Sequence, residues 1–244
     1  MMKQYFLTEI RLMLRKRVNL MLAILLPLIF YIIFTSILDL PKDAEKAFDK
    51  EYMYSMTAFS LSNFCLMQFP MEMITEKVTG WYKNIIRTPL RPYQYYGAKI
   101  FKVMIQFAIS IVVIFTVAHF FKNVNMTLTE WISSGVILWI GASTFLGIGV
   151  LIAQLNDVQK ASGIGSILYL GLAVIGGLWY PTTQFPDWLK QISHATPTYN
   201  LKKVAFDIGK GDPFSYHAFF ILIGYSILFL IIALLIRKRR EVEV

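Results

Sequence analysis

The chain has few of the residues that build metal, redox or hydrolytic sites. It contains one cysteine and three histidines in 244 residues, so it has no disulfide framework and no His/Cys group at metal-ligand spacing. No Gly-x-x-x-x-Gly-Lys-Ser/Thr run occurs, which excludes the phosphate-binding loop of this class of ATP-hydrolysing proteins. No Ser/His/Asp arrangement points to a nucleophile. We therefore expect no catalytic, metal-binding or cofactor-binding residues on this chain.

Charged residues are scarce as well. They make up 16% of the sequence, against about a quarter in a soluble domain, while hydrophobic residues reach 56%. This balance is typical of a protein whose solvent is a lipid bilayer. The first 19 residues do not fit a signal peptide, so we expect the first apolar run to be retained. A span needs roughly 20 apolar residues, and six runs qualify, at about 20–38, 52–72, 100–121, 131–153, 162–180 and 215–236. The predicted fold is an all-α integral membrane protein with a single transmembrane domain over 1–244.

The net charge is +9, and the basic residues are distributed unequally between the two sides of the membrane. Counted by connecting segment, 16 of the 24 Lys and Arg residues lie on one side and 8 on the other, and all eight Arg lie on the richer side. By the positive-inside rule that side is the cytoplasm, so both termini are expected there, in a bacterial cell membrane. Because the charge orients the spans, we expect membrane lipid and no nucleic acid as a partner.

Residues 1–19 are predicted to form an interfacial helix. Apolar side chains recur there at helical spacing, and the opposite face carries Arg11 and Arg15, with Arg17 at its end. Such a helix lies among the lipid headgroups. A basic flank that only fixes the topology explains the same residues equally well.

The spans carry no charge near their centres. Glu72 and Lys102 lie at predicted inner ends, where long side chains reach water. This pattern counts against an ion-coupled carrier and favours a lipid-like or amphipathic cargo. An intramembrane lipid-modifying enzyme would need a polar catalytic cluster, which the sequence does not offer. The frequent glycines of spans four and five indicate either tight packing or a moving, substrate-lining surface.

Segment 181–214 is too long for a turn and too polar to span. Apolar residues repeat at helical spacing on both sides of Pro197, which predicts two short amphipathic helices in the outer leaflet. The aromatic residues Trp179 and Trp188 match an interfacial belt.

The polar segment 73–99 separates the second and third apolar runs. Val78, Trp81 and Ile85 fall on one face of a predicted helix, which Pro89 ends. The charged residues are left for solvent or a partner; these are Glu76, Lys77, Lys83 and Arg87. An ordinary cytoplasmic loop with an interfacial helix would show the same pattern.

Several motifs occur in a fixed order along the chain. The first set is Glu76-Lys-Val-Thr-Gly80, Thr88-Pro89-Leu90 and Gly97-Ala-Lys99. The second set is Gly176-Gly-Leu-Trp-Tyr-Pro181, Phe185-Pro186-x-Trp188-Leu189 and Thr196-Pro197. Together with six spans they resemble the type-2 ABC exporter permeases.

The resemblance implies a transport subunit and not an enzyme, with ATP and Mg²⁺ on a separate ABC ATPase dimer. It also implies a second permease, which is another copy of this chain in a homodimer or else a similar permease. It implies a cytoplasmic coupling helix whose candidates are Glu76, Lys77, Gly80, Trp81, Ile85 and Arg87. Arg11, Arg15 and Arg17 belong to the interfacial helix beside the ATPase. Trp179, Phe185 and Trp188 belong to the exit-side helices.

The resemblance also limits the kind of molecule that is transported. It implies export of an amphipathic or hydrophobic compound such as an antimicrobial peptide, a drug or a lipid-like molecule, with multidrug or antimicrobial peptide resistance as the physiological role. Export of a lipid-linked polysaccharide by the same fold is the alternative.

Overall fold

The computed structural model describes residues 2–38, 41–155 and 157–242, and this part of the chain contains helices and turns but no strand. One π-helical turn spans Phe64–Gln68 and one 3₁₀ turn spans Thr182–Gln184. The α-helices are α1 (Met2–Arg15), α2 (Arg17–Ile37), α3 (Lys42–Asn63), α4 (Phe69–Val78), α5 (Trp81–Ile86), α6 (Pro92–Lys122), α7 (Leu128–Ser143), α8 (Leu146–Ile152), α9 (Val158–Ile175), α10 (Asp187–Ala195), α11 (Pro197–Gly209) and α12 (Tyr216–Val242).

Five helical segments of the described chain are long and apolar enough to cross a membrane. They agree with the first, third, fourth, fifth and sixth predicted spans and are Arg17–Ile37, Pro92–Lys122, Leu128–Ile152, Val158–Ile175 and Tyr216–Ala233. The all-helical membrane fold is therefore confirmed, while the six-span arrangement stays a prediction.

The second predicted span, 52–72, has a different character. It lies in a continuous helical run made of α3, the π-helical turn and α4. Nearly every residue from Tyr52 to Leu66 is buried, because α2, α6, α9 and α11 pack around this run. A helix that faces other helices instead of lipid can carry hydroxyl side chains when these find hydrogen-bond acceptors. Ser60, for example, donates to the carbonyl oxygen of Ala23 at 2.8 Å.

Glycines let α8 and α9 approach the π-helical turn closely. A Cβ added to Gly149 would collide with the carbonyl oxygen of Cys65. A Cβ added to Gly165 would lie 2.8 Å from the carbonyl oxygen of Leu66. Real side chains avoid such contacts, so these two glycines serve tight packing within the chain.

The two helices predicted within 181–214 correspond to α10 and α11. α10 keeps Trp188 and Ile192 exposed. α11 is enclosed by α3, α7 and α12, and both its apolar Leu201 and its charged Lys202 are buried. Lys202 is paired with Glu51 of α3 at 3.1 Å. α11 is therefore part of the core of the protein.

Candidate functional site

Five charged side chains meet where α1, α4 and α6 come together. Glu9 lies on α1, Glu72 and Glu76 lie on α4, and Lys99 and Lys102 lie on α6. Lys99 Nζ lies 2.7 Å from Glu9 Oε1, and it lies 2.8 Å from Glu72 Oε1 and 2.5 Å from Glu76 Oε1. Lys102 Nζ lies 3.0 Å from Glu9 Oε2 and contacts both carboxylate oxygens of Glu72. We call these five residues the ion cluster.

The helix geometry brings these charges together. Glu72 and Glu76 are four residues apart and Lys99 and Lys102 are three apart, so each pair projects from one side of its helix. α6 begins at Pro92, whose fixed φ suits the first position of a helix. Two carboxylates on α4 therefore face two ammonium groups on α6, and α1 adds the third carboxylate.

Two tyrosines extend the ion cluster. Tyr5 donates to Glu9 Oε1 at 2.7 Å, and Tyr95 donates to Glu76 Oε2 at 2.5 Å. Burial by itself would raise the pKa of Glu9, but the attraction of the two lysines of the ion cluster outweighs it and lowers the pKa below its ordinary value. Glu9 is therefore ionised at neutral pH although it is buried.

The three carboxylates lie as close together as the ligands of a cation site. The Lys99 ammonium group occupies the space between them, within 2.8 Å of an oxygen of each. With three carboxylates and two ammonium groups, the ion cluster has a net charge of −1. Because a buried charge without a partner is costly, the five side chains hold α1, α4 and α6 together as one unit.

The predicted coupling helix is divided at Gly80. α4 ends at Val78 and α5 begins at Trp81, with Gly80 between them at a φ of 76°. A left-handed backbone favours glycine, which allows the chain to change direction here. The prediction that Val78, Trp81 and Ile85 share the face of one helix is wrong, because Val78 ends α4 whereas Trp81 and Ile85 belong to α5.

Two charged candidates of this segment point inward. The prediction that Glu76 is available to solvent or a partner is wrong, because Lys99 and Tyr95 bind its carboxylate. Lys77 donates to the carbonyl oxygen of Ala153 at 2.7 Å. This bond joins the end of α4 to the turn that follows α8.

α5 is attached on one side and open on the other. The ring of Tyr82 packs edge-on against Tyr95 with centroids 5.1 Å apart, and Ile85 is buried beneath α5. On the open side, Trp81 at the start of α5 is 45% exposed, and Arg87, the residue directly after α5, is exposed. The structure thus separates the predicted coupling residues into an inward set and an outward set.

The predicted interfacial residues lie on both sides of the corner where α1 ends and α2 begins. Arg11 and Arg15 are on the exposed face of α1, opposite Glu9, and Arg17 is the first residue of α2. The exposed face is basic, and the buried face carries the carboxylate of the ion cluster.

The predicted exit-side residues have unlike surroundings. Trp179 packs edge-on against Phe30 and Phe59, with centroids 5.8 and 5.6 Å apart. Phe185 is half-buried before α10, and Trp188 on α10 is 64% exposed. Of the three, Trp188 is the side chain open to a partner or to lipid.

Sequence reasoning missed the ion cluster. It did not name Glu9 or Tyr95, and it gave Lys99 only as part of a motif. Its prediction that Lys102 reaches water is wrong, because Lys102 is 4% exposed. The available signal was the four-residue spacing of two acids on one predicted helix and the three-residue spacing of two lysines on the next.

A family model and a curated relative both match most of the chain. The model of the ABC-2 family transporter protein matches residues 35–236. The chain belongs to the ABC-2 transporter family. It is also 30% identical over 235 residues to a Bacillus subtilis (strain 168) protein named "Putative transport permease YvfS", with 96% of each chain covered. This ABC-2 transporter is a multi-pass membrane protein, a permease subunit of an ABC transporter and not itself catalytic.

Proposed function

We propose that this ABC-2 permease is the transmembrane subunit of an ATP-driven exporter. Two copies work with a dimer of ABC ATPase subunits, which bind ATP and Mg²⁺ on their own chains. The cargo is an amphipathic or hydrophobic compound, of the kind represented by antimicrobial peptides, drugs and lipid-like molecules. It leaves the cytoplasm or the inner leaflet.

The observation that carries this proposal is the connection between α5 and the ion cluster. The open side of this segment presents Trp81 at the start of α5 and Arg87 directly after its end. An aromatic residue and an arginine are the residue types that anchor protein interfaces. The other face of α5 is attached through Tyr82 and Ile85 to the buried unit formed by α4 and α6. A partner that binds the open face therefore holds the end of a rigid structure.

In this proposal the two sets of residues have separate roles. Trp81 and Arg87 contact the ATPase, and Glu76 transmits its movement to α1 and α6. The transmission follows from the energy of the ion cluster, because leaving a buried charge without its partner costs about 3–5 kcal/mol. Lys77 carries the same movement to the turn after α8.

The burial of charge supports the proposed class of cargo. The described spans expose apolar side chains, and the charged residues Lys99, Lys102 and Lys202 are each buried against carboxylates. A small hydrated ion finds little compensation along such helices. A molecule with a large apolar part does not need it.

The contact role is tested by replacing Trp81 with alanine. The tagged permease is purified from membranes, and ATP hydrolysis in the eluate measures the bound ATPase. We expect Trp81→Ala to lose most of this activity. Trp188→Ala should keep it, because Trp188 is an exposed tryptophan that lies on α10 and not on α5. Equal recovery of the ATPase by both variants would refute the contact role.

The transmission role needs a different readout. Glu76→Gln keeps the size of the side chain and leaves the open face of α5 unchanged. We expect the ATPase to co-purify normally while the transport produced per ATP hydrolysed falls several-fold. Normal coupling in this variant would show that the movement passes through other contacts.

A further inference from the structure

The helical run through α3 and α4 has an irregular backbone where the two helices meet. The N–H of Phe64 donates to the carbonyl oxygen of Ser60, four residues earlier, as in an α-helix. The N–H of Phe69 instead donates to the carbonyl oxygen of Phe64, five residues earlier, which is the pattern of a π-helix. The π-helical turn Phe64–Gln68 therefore holds one residue more than an α-helical turn would. Single π-helical turns inside α-helices are frequent at functional sites.

Pro70 removes a hydrogen bond directly after this turn. It is the second residue of α4, and it is buried. A residue with an N–H at this position would donate to the carbonyl oxygen of Leu66 in an α-helix, or to that of Cys65 in a π-helix. Proline has no N–H, so it serves neither carbonyl group. A π-helical turn and a proline are two of the few causes of helix kinks, and here they coincide.

The carbonyl oxygens of Cys65 and Leu66 face the backbones of two glycines. Gly149 of α8 lies so close that an added Cβ would collide with the carbonyl oxygen of Cys65, and Gly165 of α9 lies in the same way against Leu66. Side chains on a helix surface form ridges that fix the angle between packed helices. Gly149 and Gly165 contribute no such ridge. At these positions α8 and α9 therefore enclose the π-helical turn without fixing the angle between α3 and α4.

The two parts of the run are held by different partners. On the α3 side, Ser60 donates to the carbonyl oxygen of Ala23 on α2 at 2.8 Å, and its hydroxyl lies 2.7 Å from that of Ser110 on α6. On the α4 side, the ion cluster binds two carboxylates through Lys99 and Lys102. A lysine ammonium group sits on a flexible four-carbon stem, so these contacts can follow a small tilt of α4. The irregular turn thus lies between two parts that are each attached to their surroundings.

We propose that the π-helical turn and Pro70 form a hinge, at which α4 changes its angle to α3 when α5 is moved. Gly149 and Gly165 are the surfaces against which the hinge moves. The proposal rests on the proposed function for the source of the movement, which is the ATPase bound at α5. The hinge itself belongs to this chain, so its motion can be measured without the ATPase.

The first test measures the distance between two nitroxide labels by pulsed electron paramagnetic resonance. The labels are attached at Lys46→Cys on α3 and Lys83→Cys on α5, which are exposed positions, whereas the native Cys65 is buried. The full chain is reconstituted in nanodiscs with an excess of unlabelled chain and without ATPase. The hinge predicts two populations of distances, one for each angle of α4.

Substitutions of Pro70 supply the missing N–H. One restored hydrogen bond in Pro70→Ala should reduce the population with the more bent run about fivefold. Pro70→Val supplies the same N–H with as many side-chain carbon atoms as proline, and it should have the same effect. Pro27→Ala is the matched control, because Pro27 is a buried proline inside α2 with no π-helical turn beside it. This control should keep both populations. A single distance in the unchanged protein, or equal populations in the unchanged protein and both Pro70 variants, would overturn the hinge.

The second test uses the complex with the ATPase. Pro70→Ala leaves the open side of α5 unchanged, so the ATPase should bind normally while the transport produced per ATP hydrolysed falls several-fold. Pro27→Ala should keep the normal ratio. Normal coupling in Pro70→Ala would overturn the part of the hinge in transport. If the label distances respond as expected but no ATPase binds the chain, the proposed function fails and the hinge stands.

Discussion

Replacing Lys99 with methionine removes the one side chain that contacts all three carboxylates of the ion cluster. Methionine keeps much of the length and apolar volume of the lysine stem, so the packing changes little. In the variant three carboxylates share the single ammonium group of Lys102, and the sum of charges changes from −1 to −2. Because Lys99 is 1% exposed, water does not replace it.

The expected cost follows from the burial of the cluster. Removing one partner of a buried ion pair destabilises a protein by about 3–5 kcal/mol. Lys99 has three partners, but uptake of a proton by one carboxylate restores the sum of −1 and limits the loss. We therefore expect Lys99→Met to lower the free energy of unfolding by about 4 kcal/mol at neutral pH, and by less in acid, where that proton is readily available.

The assay is equilibrium unfolding in mixed micelles of dodecyl maltoside and sodium dodecyl sulfate, followed by circular dichroism. Lys203→Met is the matched control, because Lys203 is 41% exposed and its pair with Asp207 at 3.0 Å contributes at most about 1 kcal/mol. Adding Glu76→Gln to Lys99→Met returns the sum of charges to −1 and should recover part of the loss. If Lys99→Met loses no more stability than Lys203→Met, the ion cluster does not hold the three helices together.

Three further expectations concern the backbone and the far end of α3. Gly80→Ala should cost about 1 kcal/mol in the same unfolding assay, because a φ of 76° strains any residue with a Cβ although no atom lies within 4 Å of it. Gly149→Ala should destabilise the protein severely, because its Cβ meets the backbone of Cys65. Gly163→Ala has open space and should be neutral or slightly stabilising. Equal unfolding transitions of these two variants would contradict the close approach at Gly149. Burial raises the pKa of Asp49 to about 6, above the ordinary 3.8, so the folded protein keeps this proton longer than the unfolded chain does. The Asp49 contribution to stability should therefore fall as the pH rises from 3.8 to about 6, and Asp49→Asn should remove that slope from a pH series of unfolding midpoints.

The spans that face lipid were predictable because hydropathy measures contact with lipid. α2 and α12 expose long rows of apolar side chains, and their sequences are correspondingly apolar. The run through α3 was predictable as a helix, but its surroundings were not. Protein encloses it, so residues such as Thr57 and Ser60 are satisfied by carbonyl oxygens of neighbouring turns and helices.

The ion cluster lay beyond sequence reasoning for a physical reason. Helical spacing shows that Glu72 and Glu76 share a face, but it does not show which helix that face meets. The contact between Glu9 and Lys102 joins residues 93 positions apart. Such a contact depends on the packing of whole helices, here set by the bend at Gly80 and by the corner between α1 and α2.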